Sequence, residues 1–440
     1  MTNNKLLHGL KTRHILMIAL GSAIGTGLFF GTGESIGLTG PSILLAYLIG
    51  GIIMYWVIRA LGEMTVHEPH PGSFSYYAYK YIGNFAGFIS GWNYWFLYII
   101  VSMLELTATA MLFDYWFPNS QHWTITLIVL VIFTLINLNK VNIFGEFEFW
   151  FAGIKVVTII SMIIFGFYLI IFMPTDKSNI ANIWSHGNFF GNGLKGFLLS
   201  FVVVVFSFGG TELVGITAAE ADDPQKNIPL AINGVIFRIL IFYILTLFII
   251  MCLYPWNMIN HHTSPFVDVF IKIGIHKAAM LMNIIAITAA LSSFNSGIYA
   301  TGRMLYNLSE QGNAPKILLK LNHNKVPNVA ILTSILCIFL TVVLNYLYPK
   351  QIFAVLLSLA TVAAIVNWIA ILITQFAFRK KATNIQYKMP LYPYSSYIAL
   401  IFFITIIIAM SNMESMKTAV YIAPIWLCCL VISYKASKYI

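Results

Sequence analysis

The sequence predicts an all-α integral membrane protein with 12 transmembrane helices, and three observations support this prediction. First, 59% of the 440 residues are hydrophobic and only 9% are charged, whereas soluble domains carry about 25% charged residues. Second, the hydrophobic residues form successive apolar segments close to the roughly 20 residues that cross a bilayer as a helix. Third, these segments lack the alternation of a membrane barrel, and lipid cannot satisfy an open sheet edge, so helices are expected.

The predicted spans leave only short loops between them. Spans 1 to 12 are expected at residues 14–36, 41–62, 84–115, 123–139, 147–173, 194–219, 230–254, 278–307, 327–347, 352–378, 395–412 and 418–436. No large soluble catalytic or nucleotide-binding domain fits between them. The chain also contains no Gly-Lys dipeptide, which excludes a P-loop and therefore the use of ATP by this chain.

The distribution of Lys and Arg predicts which side of the membrane each loop faces. With residues 1–13 inside, 17 of the 25 basic residues lie at the inner side, six lie outside and two lie within spans. This bias agrees with the positive-inside rule, so both termini are expected to be cytoplasmic. The net charge of +10 then reflects topology, and no nucleic-acid partner is expected.

Glycines interrupt two of the predicted spans. Span 1 contains Gly21, Gly25 and Gly27, and span 6 contains the doublet Gly209 and Gly210. A glycine inside a helix costs about 1 kcal/mol relative to alanine, so both spans are expected to unwind there. Small residues also serve close helix packing, but interruptions at matching positions in two halves indicate an inverted-repeat transporter and its binding site.

The interruptions divide the chain into two predicted repeats of five spans. Spans 1–5 cover residues 14–173 and spans 6–10 cover 194–378. An odd number of spans per repeat places the second repeat upside down in the membrane. Spans 11 and 12, at 395–436, lie outside the repeats, and residues 14–436 as a whole are expected to form one transporter domain.

A broken helix exposes backbone N–H groups on one side of the break and C=O groups on the other. The N–H end suits a carboxylate and the C=O end suits an ammonium group, and an α-amino acid carries both. The breaks are therefore predicted to bind an amino acid, with its side chain directed toward spans 3, 6 and 8. The predicted substrate-binding residues are Ser22, Ala23, Ile24, Gly25, Thr26, Gly27, Phe206, Ser207, Phe208, Gly209, Tyr94 and Glu105.

Three ionisable residues lie deep within the spans, where a charge costs at least about 2.5–3.5 kcal/mol and is a functional candidate. Lys155 either exchanges a proton or takes the place of a sodium ion beside span 1, unless it extends to the inner headgroups. Glu105 is either a proton or substrate site or a structural carboxyl. Glu212 is either a gate or proton carrier or a helix cap. No metal, sodium site or cofactor is expected.

Eight motifs resemble those of the bacterial amino acid transporter family of general amino acid permeases, in the amino acid–polyamine–organocation superfamily. They are IGTGLF at 24–29, GEM at 62–64, PGSF at 71–74, GWNYW at 91–95, EFEFWF at 146–151, EADDPQ at 220–225, RMLY at 303–306 and GNAPK at 312–316. They occur in the family's order, and the resemblance covers about residues 8–436.

The resemblance implies the five-plus-five inverted repeat called the LeuT fold and proton-coupled amino acid uptake across the bacterial inner or plasma membrane. It implies that residues 22–27 and 206–212 hold the substrate backbone, that Lys155 replaces a sodium ion and that Glu212 takes part in gating. Phe206 aligns with an aromatic residue that closes over substrate. Spans 3, 5 and 6 look closest to permeases for small neutral amino acids such as alanine, serine, threonine or proline.

Several alternatives stay open at this point. An amino acid exchanger, or a permease for basic or aromatic amino acids, is also compatible with the sequence, whereas Lys155 disfavours a sodium symporter. An enzyme is not expected, because the chain has no HExxH motif and no convergent catalytic set. A channel is disfavoured by the absence of a charge ring or repeated filter motif. The sequence predicts an amino acid substrate and a lipid environment, but no oligomeric state.

Overall fold

The computed structural model describes residues 17, 24–139, 141–173, 178–185, 187–217, 223–259, 264–349, 351–414 and 416–437. Within these ranges the regular structure is entirely helical. The α-helices in chain order are α1 Thr32–Thr39, α2 Ile43–His67, α3 Ser73–Tyr81, α4 Asn84–Phe113, α5 His122–Asn137, α6 Val141–Phe172, α7 Asn182–Ser185, α8 Gly193–Phe206, α9 Leu213–Thr217, α10 Pro224–Arg238, α11 Thr246–Leu253, α12 Pro265–Lys272, α13 His276–Glu310, α14 Asn328–Ile338, α15 Leu340–Leu347, α16 Ile352–Lys381, α17 Tyr394–Met410 and α18 Lys417–Ser437.

The helices confirm an all-α membrane protein. In the described part of the chain, seven helical stretches are long and apolar enough to cross a membrane, and four shorter apolar helices accompany them. The longest stretch, Gly27–His67, contains the described end of span 1 together with span 2, which are separated at Gly40, where φ is 62°. Predicted and observed ends agree closely in places: span 3, predicted at 84–115, is α4, Asn84–Phe113.

Two amphipathic helices lie between predicted spans and were not expected from the sequence. α3 follows span 2 and α12 precedes span 8. α12 begins with Pro265 at its first position, where the fixed φ of proline suits a helix start. It ends before Gly274, whose φ of 85° only glycine adopts without strain. Such short helices contain too few apolar residues to be recognised as membrane spans.

The long helices α4 and α13, which carry spans 3 and 8, pack along each other at the centre of the molecule. α16 packs on the other side of α4, and α6 packs on α13. Large apolar side chains remain on the outer surface: Trp150 is 65% exposed, Leu336 74% and Ile432 67%. An apolar surface of this extent is expected to face lipid rather than water.

Ionic contacts hold α3 in the loop that follows span 2. Lys80 lies 2.5 Å from the Glu68 carboxylate, and although burial opposes ionisation, hydrogen bonds from Lys80 and Tyr76 lower the pKa of Glu68. The His70 ring stacks on Tyr76 at 3.5 Å and its Nδ1 accepts a hydrogen bond from the Gly72 amide. Burial lowers the pKa of His70 to about 4, because the imidazolium would lose hydration.

Candidate functional site

The first break lies in span 1 at residues 24–25, the non-helical residues that precede a helical Thr26. A π-helical turn, Gly27–Gly31, follows and leads into α1. A Cβ atom on Gly25 would lie 2.8 Å from Glu105 Oε1 and 3.2 Å from Ser293 Oγ. The chain therefore needs glycine here because spans 3 and 8 approach its backbone closely. The predicted residues Ser22 and Ala23 lie outside the described residues.

The second break lies in span 6 at residues 207–212. α8 ends at Phe206, and α9 begins at Leu213. Between them Gly210 has a φ of 92°, a conformation that favours glycine. The turn is held by its own hydrogen bonds, since the Gly209 amide donates to the Phe206 carbonyl at 2.9 Å and the Leu213 amide donates to the Gly210 carbonyl at 3.1 Å.

Ser207 joins the two breaks. Its hydroxyl donates to the Gly27 carbonyl at 2.9 Å and lies 3.0 Å from the Tyr47 hydroxyl. The Tyr243 hydroxyl donates to the Ser207 carbonyl at 2.7 Å. A Cβ atom on Gly27 would lie 2.8 Å from the Ser207 Cα atom. The backbones of the two interrupted spans are thus in close contact, which the absence of a side chain at Gly27 permits.

A cavity lies between the breaks. Its walls combine backbone at both breaks with side chains of spans 3, 8 and 10. The lining residues are Gly25, Gly27, Leu97, Tyr98, Val101, Glu105, Phe206, Ser207, Gly209, Gly210, Glu212, Leu213, Ser293, Ser296 and Ala364. Polar groups therefore lie at the breaks and along one wall, and apolar side chains form the remainder, which suits a small molecule with a polar end and an apolar end.

Two predicted aromatic residues lie outside this lining. Phe208 is fully buried and packs against Tyr47 and Tyr243, with ring centroids 5.8 and 5.2 Å away. Tyr94 packs against Phe74 at 4.6 Å and Tyr98 at 4.7 Å. Tyr98, one helical turn further along α4, reaches the cavity instead. Phe206 remains the predicted aromatic residue in the lining.

Lys155 lies behind the first break and is fully buried. Its ammonium group donates to the Ile24 carbonyl at 3.2 Å and to the Ser292 hydroxyl at 2.9 Å. Because the amine reaches into the molecule toward span 1, its position differs from that of a lysine that extends to the headgroups. The amine therefore lies at a backbone carbonyl of the first break.

The two predicted carboxylates both line the cavity. Glu105 accepts a hydrogen bond from the Thr26 hydroxyl at 3.1 Å, and its Oε2 makes no hydrogen bond among the described residues. Glu212 accepts from the Tyr98 hydroxyl at 3.3 Å and from Trp368 Nε1 at 3.4 Å. Both carboxylates are therefore buried beside a break and partly occupied by neutral donors.

Sequence reasoning missed two residues of the cavity lining and one buried carboxylate outside that lining. Ser293 and Ser296 line the cavity from span 8, but an isolated serine on a helix does not differ in pattern from one that serves packing. Glu148 is fully buried and accepts a hydrogen bond from Ser292 at 2.5 Å. A signal for Glu148 exists in the sequence, because it precedes Lys155 by seven residues and so lies on the same face of the helix.

The site combines a helix start with its backbone N–H groups, carbonyls at a second break and buried ionisable side chains. The backbone groups of such an arrangement can bind a zwitterion, and proton transfer can change the charge of its side chains. Among the described residues, no group of three or more His, Cys, Asp or Glu side chains is arranged to hold a metal ion.

Comparison with known proteins gives matches over almost the entire chain. The amino acid permease family model matches residues 14–439. The chain is 45% identical to the uncharacterized amino acid permease YtnA of Bacillus subtilis over 438 residues, 98% of this chain and 95% of the relative. It is also 45% identical to the aromatic amino acid transport protein AroP of Escherichia coli strain K12 over 435 residues, with the same coverage. The AroP of Salmonella typhimurium strain LT2 is equally similar.

These matches agree with the resemblance of the eight motifs and cover both breaks. They also agree with a helical chain whose outer surface is apolar. The chain is therefore a multi-pass membrane transporter, not an enzyme, and it belongs to the amino acid permease family.

Proposed function

We propose that this permease is a secondary active transporter that couples amino acid uptake to protons by alternating access. The observation that carries the proposal is the meeting of two interrupted spans at one buried cavity, with Lys155 hydrogen-bonded to the first break. The N–H groups at the start of the helix after Gly25 suit the substrate carboxylate. Carbonyls at the end of α8 suit its ammonium group.

For the substrate we propose neutral amino acids with aromatic side chains. Relatives with 45% identity over 98% of this chain are named as aromatic amino acid transport proteins. The cavity lining contains the apolar side chains of Leu97, Val101 and Ala364 and the rings of Tyr98 and Phe206. These side chains offer apolar and aromatic contacts. This proposal replaces the expectation of small neutral substrates, which rested on general appearance alone.

The proton is the coupling ion in this proposal. Lys155 places an amine at the carbonyl of Ile24, where a sodium ion would require oxygen ligands of its own. A buried lysine readily changes protonation state because burial disfavours its charge. Loss of its proton would weaken its hydrogen bond to the first break, because a neutral amine is a poorer donor than an ammonium group. This links proton release to the substrate site.

The architecture supports alternating access. We propose that all twelve predicted segments cross the bacterial cell membrane, with both termini cytoplasmic, and that spans 1–5 and 6–10 form the inverted repeats. Spans 1, 2, 6 and 7 then rock against a scaffold of spans 3, 4, 8 and 9. The central packing of α4 on α13 is consistent with a scaffold that contains spans 3 and 8.

Counterflow into proteoliposomes tests the substrate. Vesicles loaded with an unlabelled amino acid are diluted into its labelled form, with L-phenylalanine, L-tyrosine and L-tryptophan compared with L-alanine, L-serine, L-threonine, L-proline and L-lysine. We expect the three aromatic amino acids to give the highest initial rates. Faster counterflow of alanine or lysine would contradict the aromatic assignment, and no counterflow of any would contradict the permease site.

Uptake into vesicles without internal amino acid separates a symporter from an exchanger. With an acidic outside, the wild type should accumulate substrate, and Lys155→Ala should abolish that accumulation while counterflow continues. Accumulation that needs internal amino acid in the wild type would identify an exchanger. Unchanged uphill uptake by Lys155→Ala would contradict the role of the lysine in coupling.

A further inference from the structure

Glu148 and Lys155 form a buried chain of hydrogen bonds through one serine. Both side chains are fully buried, and both lie on α6. The Lys155 ammonium group donates to Ser292 Oγ at 2.9 Å, and the Ser292 hydroxyl donates to Glu148 Oε1 at 2.5 Å. The hydroxyl therefore accepts a hydrogen bond from the amine and gives its own proton to the carboxylate in one continuous direction.

The chain leads from the first break toward the start of α6. Seven residues separate Lys155 from Glu148, which corresponds to a rise of about 10 Å along the helix. In the topology proposed above, the start of α6 faces the cytoplasm. One turn earlier, Phe144 stacks on Tyr299 at 4.2 Å, and the Arg303 guanidinium lies 3.8 Å above the same Tyr299 ring. Glu148 thus lies between the amine and the inner side.

The surroundings of Glu148 are polar but contain few charges. On α13, the neutral residues Asn295 and Ser296 direct their side-chain donors toward its carboxyl, but Glu148 Oε2 makes no hydrogen bond of standard geometry among the described residues. Among the described residues, the charged group that acts on Glu148 is Lys155 on its own helix, and Glu105 on α4 lies near Lys155. Tyr299 and Arg303 of α13 lie one turn toward the start of α6, beside Phe144. A carboxylate oxygen with spare acceptor capacity is suited to receive a proton.

We propose that Glu148 is a second proton site of this transporter, which receives the Lys155 proton through Ser292 and passes it to the inner side. This inference rests on the proton coupling proposed above. In the transfer, the Ser292 O–H bond breaks as an O–H bond forms on Glu148. A Lys155 N–H bond breaks as the Ser292 hydroxyl is restored. The products are a neutral amine and a neutral carboxylic acid, so no isolated charge forms in the buried chain.

The chain of proton transfer from Lys155 through Ser292 to Glu148 is called the relay. Variants of the relay should lose proton movement without losing substrate exchange. Glu148→Gln keeps the shape and an acceptor oxygen, but its amide cannot take up the proton. Ser292→Ala removes the connecting hydroxyl, whereas Ser292→Thr keeps it. We expect the first two variants to lose proton movement while they still exchange substrate across the membrane, and we expect Ser292→Thr to retain both.

The experiment uses proteoliposomes that contain a trapped pH-sensitive dye and L-phenylalanine as the probe, or the amino acid with the highest counterflow in the panel above. Accumulation driven by a pH gradient, substrate-induced internal acidification and counterflow are measured for each variant. Glu148→Gln and Ser292→Ala should lower accumulation and acidification at least tenfold and leave counterflow within about twofold. Thr301→Ala removes a buried hydroxyl that, among the described residues, donates to the Ile298 carbonyl of the same helix. It is the matched control and should resemble the wild type.

The outcomes distinguish this inference from the proposed function. If the wild type shows no proton-driven accumulation, the proposed coupling fails, and the relay fails with it. If the wild type couples and Lys155→Ala does not, but Glu148→Gln and Ser292→Ala still move protons normally, the relay alone is overturned. Equal loss of counterflow and accumulation in both relay variants also overturns it, because that result indicates a structural role. If Glu148→Gln does not fold, the contrast between Ser292→Ala and Ser292→Thr decides.

Discussion

The two breaks face the same cavity but are built differently. The conformation of the first break depends on contacts with other parts of the chain: spans 3 and 8 approach Gly25, and Lys155 and Ser207 donate hydrogen bonds to carbonyls on either side of it. The second break has local determinants as well, namely the positive φ of Gly210 and the hydrogen bonds of its own turn. We call the first break held from outside and the second held from within. Substitutions at the first break should therefore act on binding and coupling, and those at the second on the conformation of the turn.

The largest effect is expected from Gly25→Val. Its Cβ would lie 2.8 Å from Glu105 Oε1, and its two methyl groups would fill space at the cavity. Overpacking costs about 1–3 kcal/mol, and a cost near the upper end corresponds to roughly 100-fold in affinity. Binding is measured by the thermal shift that substrate produces in purified protein.

Gly153→Val serves as the control for this variant, because no atom lies within 4 Å of a Cβ atom at that position. It should bind as the wild type does. Normal affinity in Gly25→Val would remove this residue from the site. It would also contradict the proposed difference between the two breaks, because the first break would then tolerate added side-chain volume.

Gly210→Ala should have the next largest effect, through backbone strain rather than contact with substrate. A residue with a side chain in a left-handed conformation costs about 1–2 kcal/mol. We expect a lower Tm and a slower transport rate with little change in the substrate Kd. Gly209→Ala is the neighbouring control, because its Cβ would meet only the Phe206 carbonyl, at 3.1 Å. An equal loss in both variants would show that space, and not conformation, governs the second break.

The sequence predicted the location of both breaks but not this difference between them. Glycines identify where a helix can unwind, whereas the approach of Glu105 and Ser293 to Gly25 depends on how distant helices pack. The same limit explains Phe208. In a turn without helical period, alternate residues cannot be assigned to a face, and the structure directs Phe206 to the cavity and Phe208 to Tyr47.

The fold could be predicted further than the site. Apolar segments predict membrane helices because lipid selects composition over about 20 residues, and seven helical stretches of the described residues meet that requirement. The short helices α3 and α12 could not be predicted in this way, since they need not cross lipid. Glu148 was not predicted for a different reason: its proposed role depends on Ser292, which lies 144 residues away in the chain.

A smaller effect is expected when the hydrogen bond between the breaks is removed. Ser207→Ala deletes the donor to the Gly27 carbonyl and the partner of the Tyr47 hydroxyl. A net hydrogen bond contributes about 0.5–1.5 kcal/mol, so we expect a modest fall in Tm. A double-mutant cycle with Tyr47→Phe measures the coupling of the two side chains. Fully additive losses would contradict a shared hydrogen bond at this junction.

The smallest effect is expected from a fall in pH, which should lower the local stability at the second break but not at the first. Gly215 in α9 contacts α3, since its Cβ would lie 2.4 Å from Ser73 Oγ. The loop before α3 is held by a neutral His70, whose pKa burial lowers to about 4. A depressed histidine pKa stabilises the folded state above the ordinary pKa of about 6.5, and this contribution is lost as pH falls from 6.5 toward 4.

Hydrogen exchange at pH 7 and pH 5.5 tests this difference, after correction for the intrinsic rates. Protection of α3 and α9 should fall by an amount that corresponds to about 1 kcal/mol, whereas the turn Gly27–Gly31 should keep its protection. His70→Phe keeps a ring that can stack on Tyr76 but cannot titrate, so its α3 and α9 should respond less to acid than those of the wild type. Equal loss of protection at both breaks would show that they open as one unit, and the contrast between a break held from outside and one held from within would no longer apply.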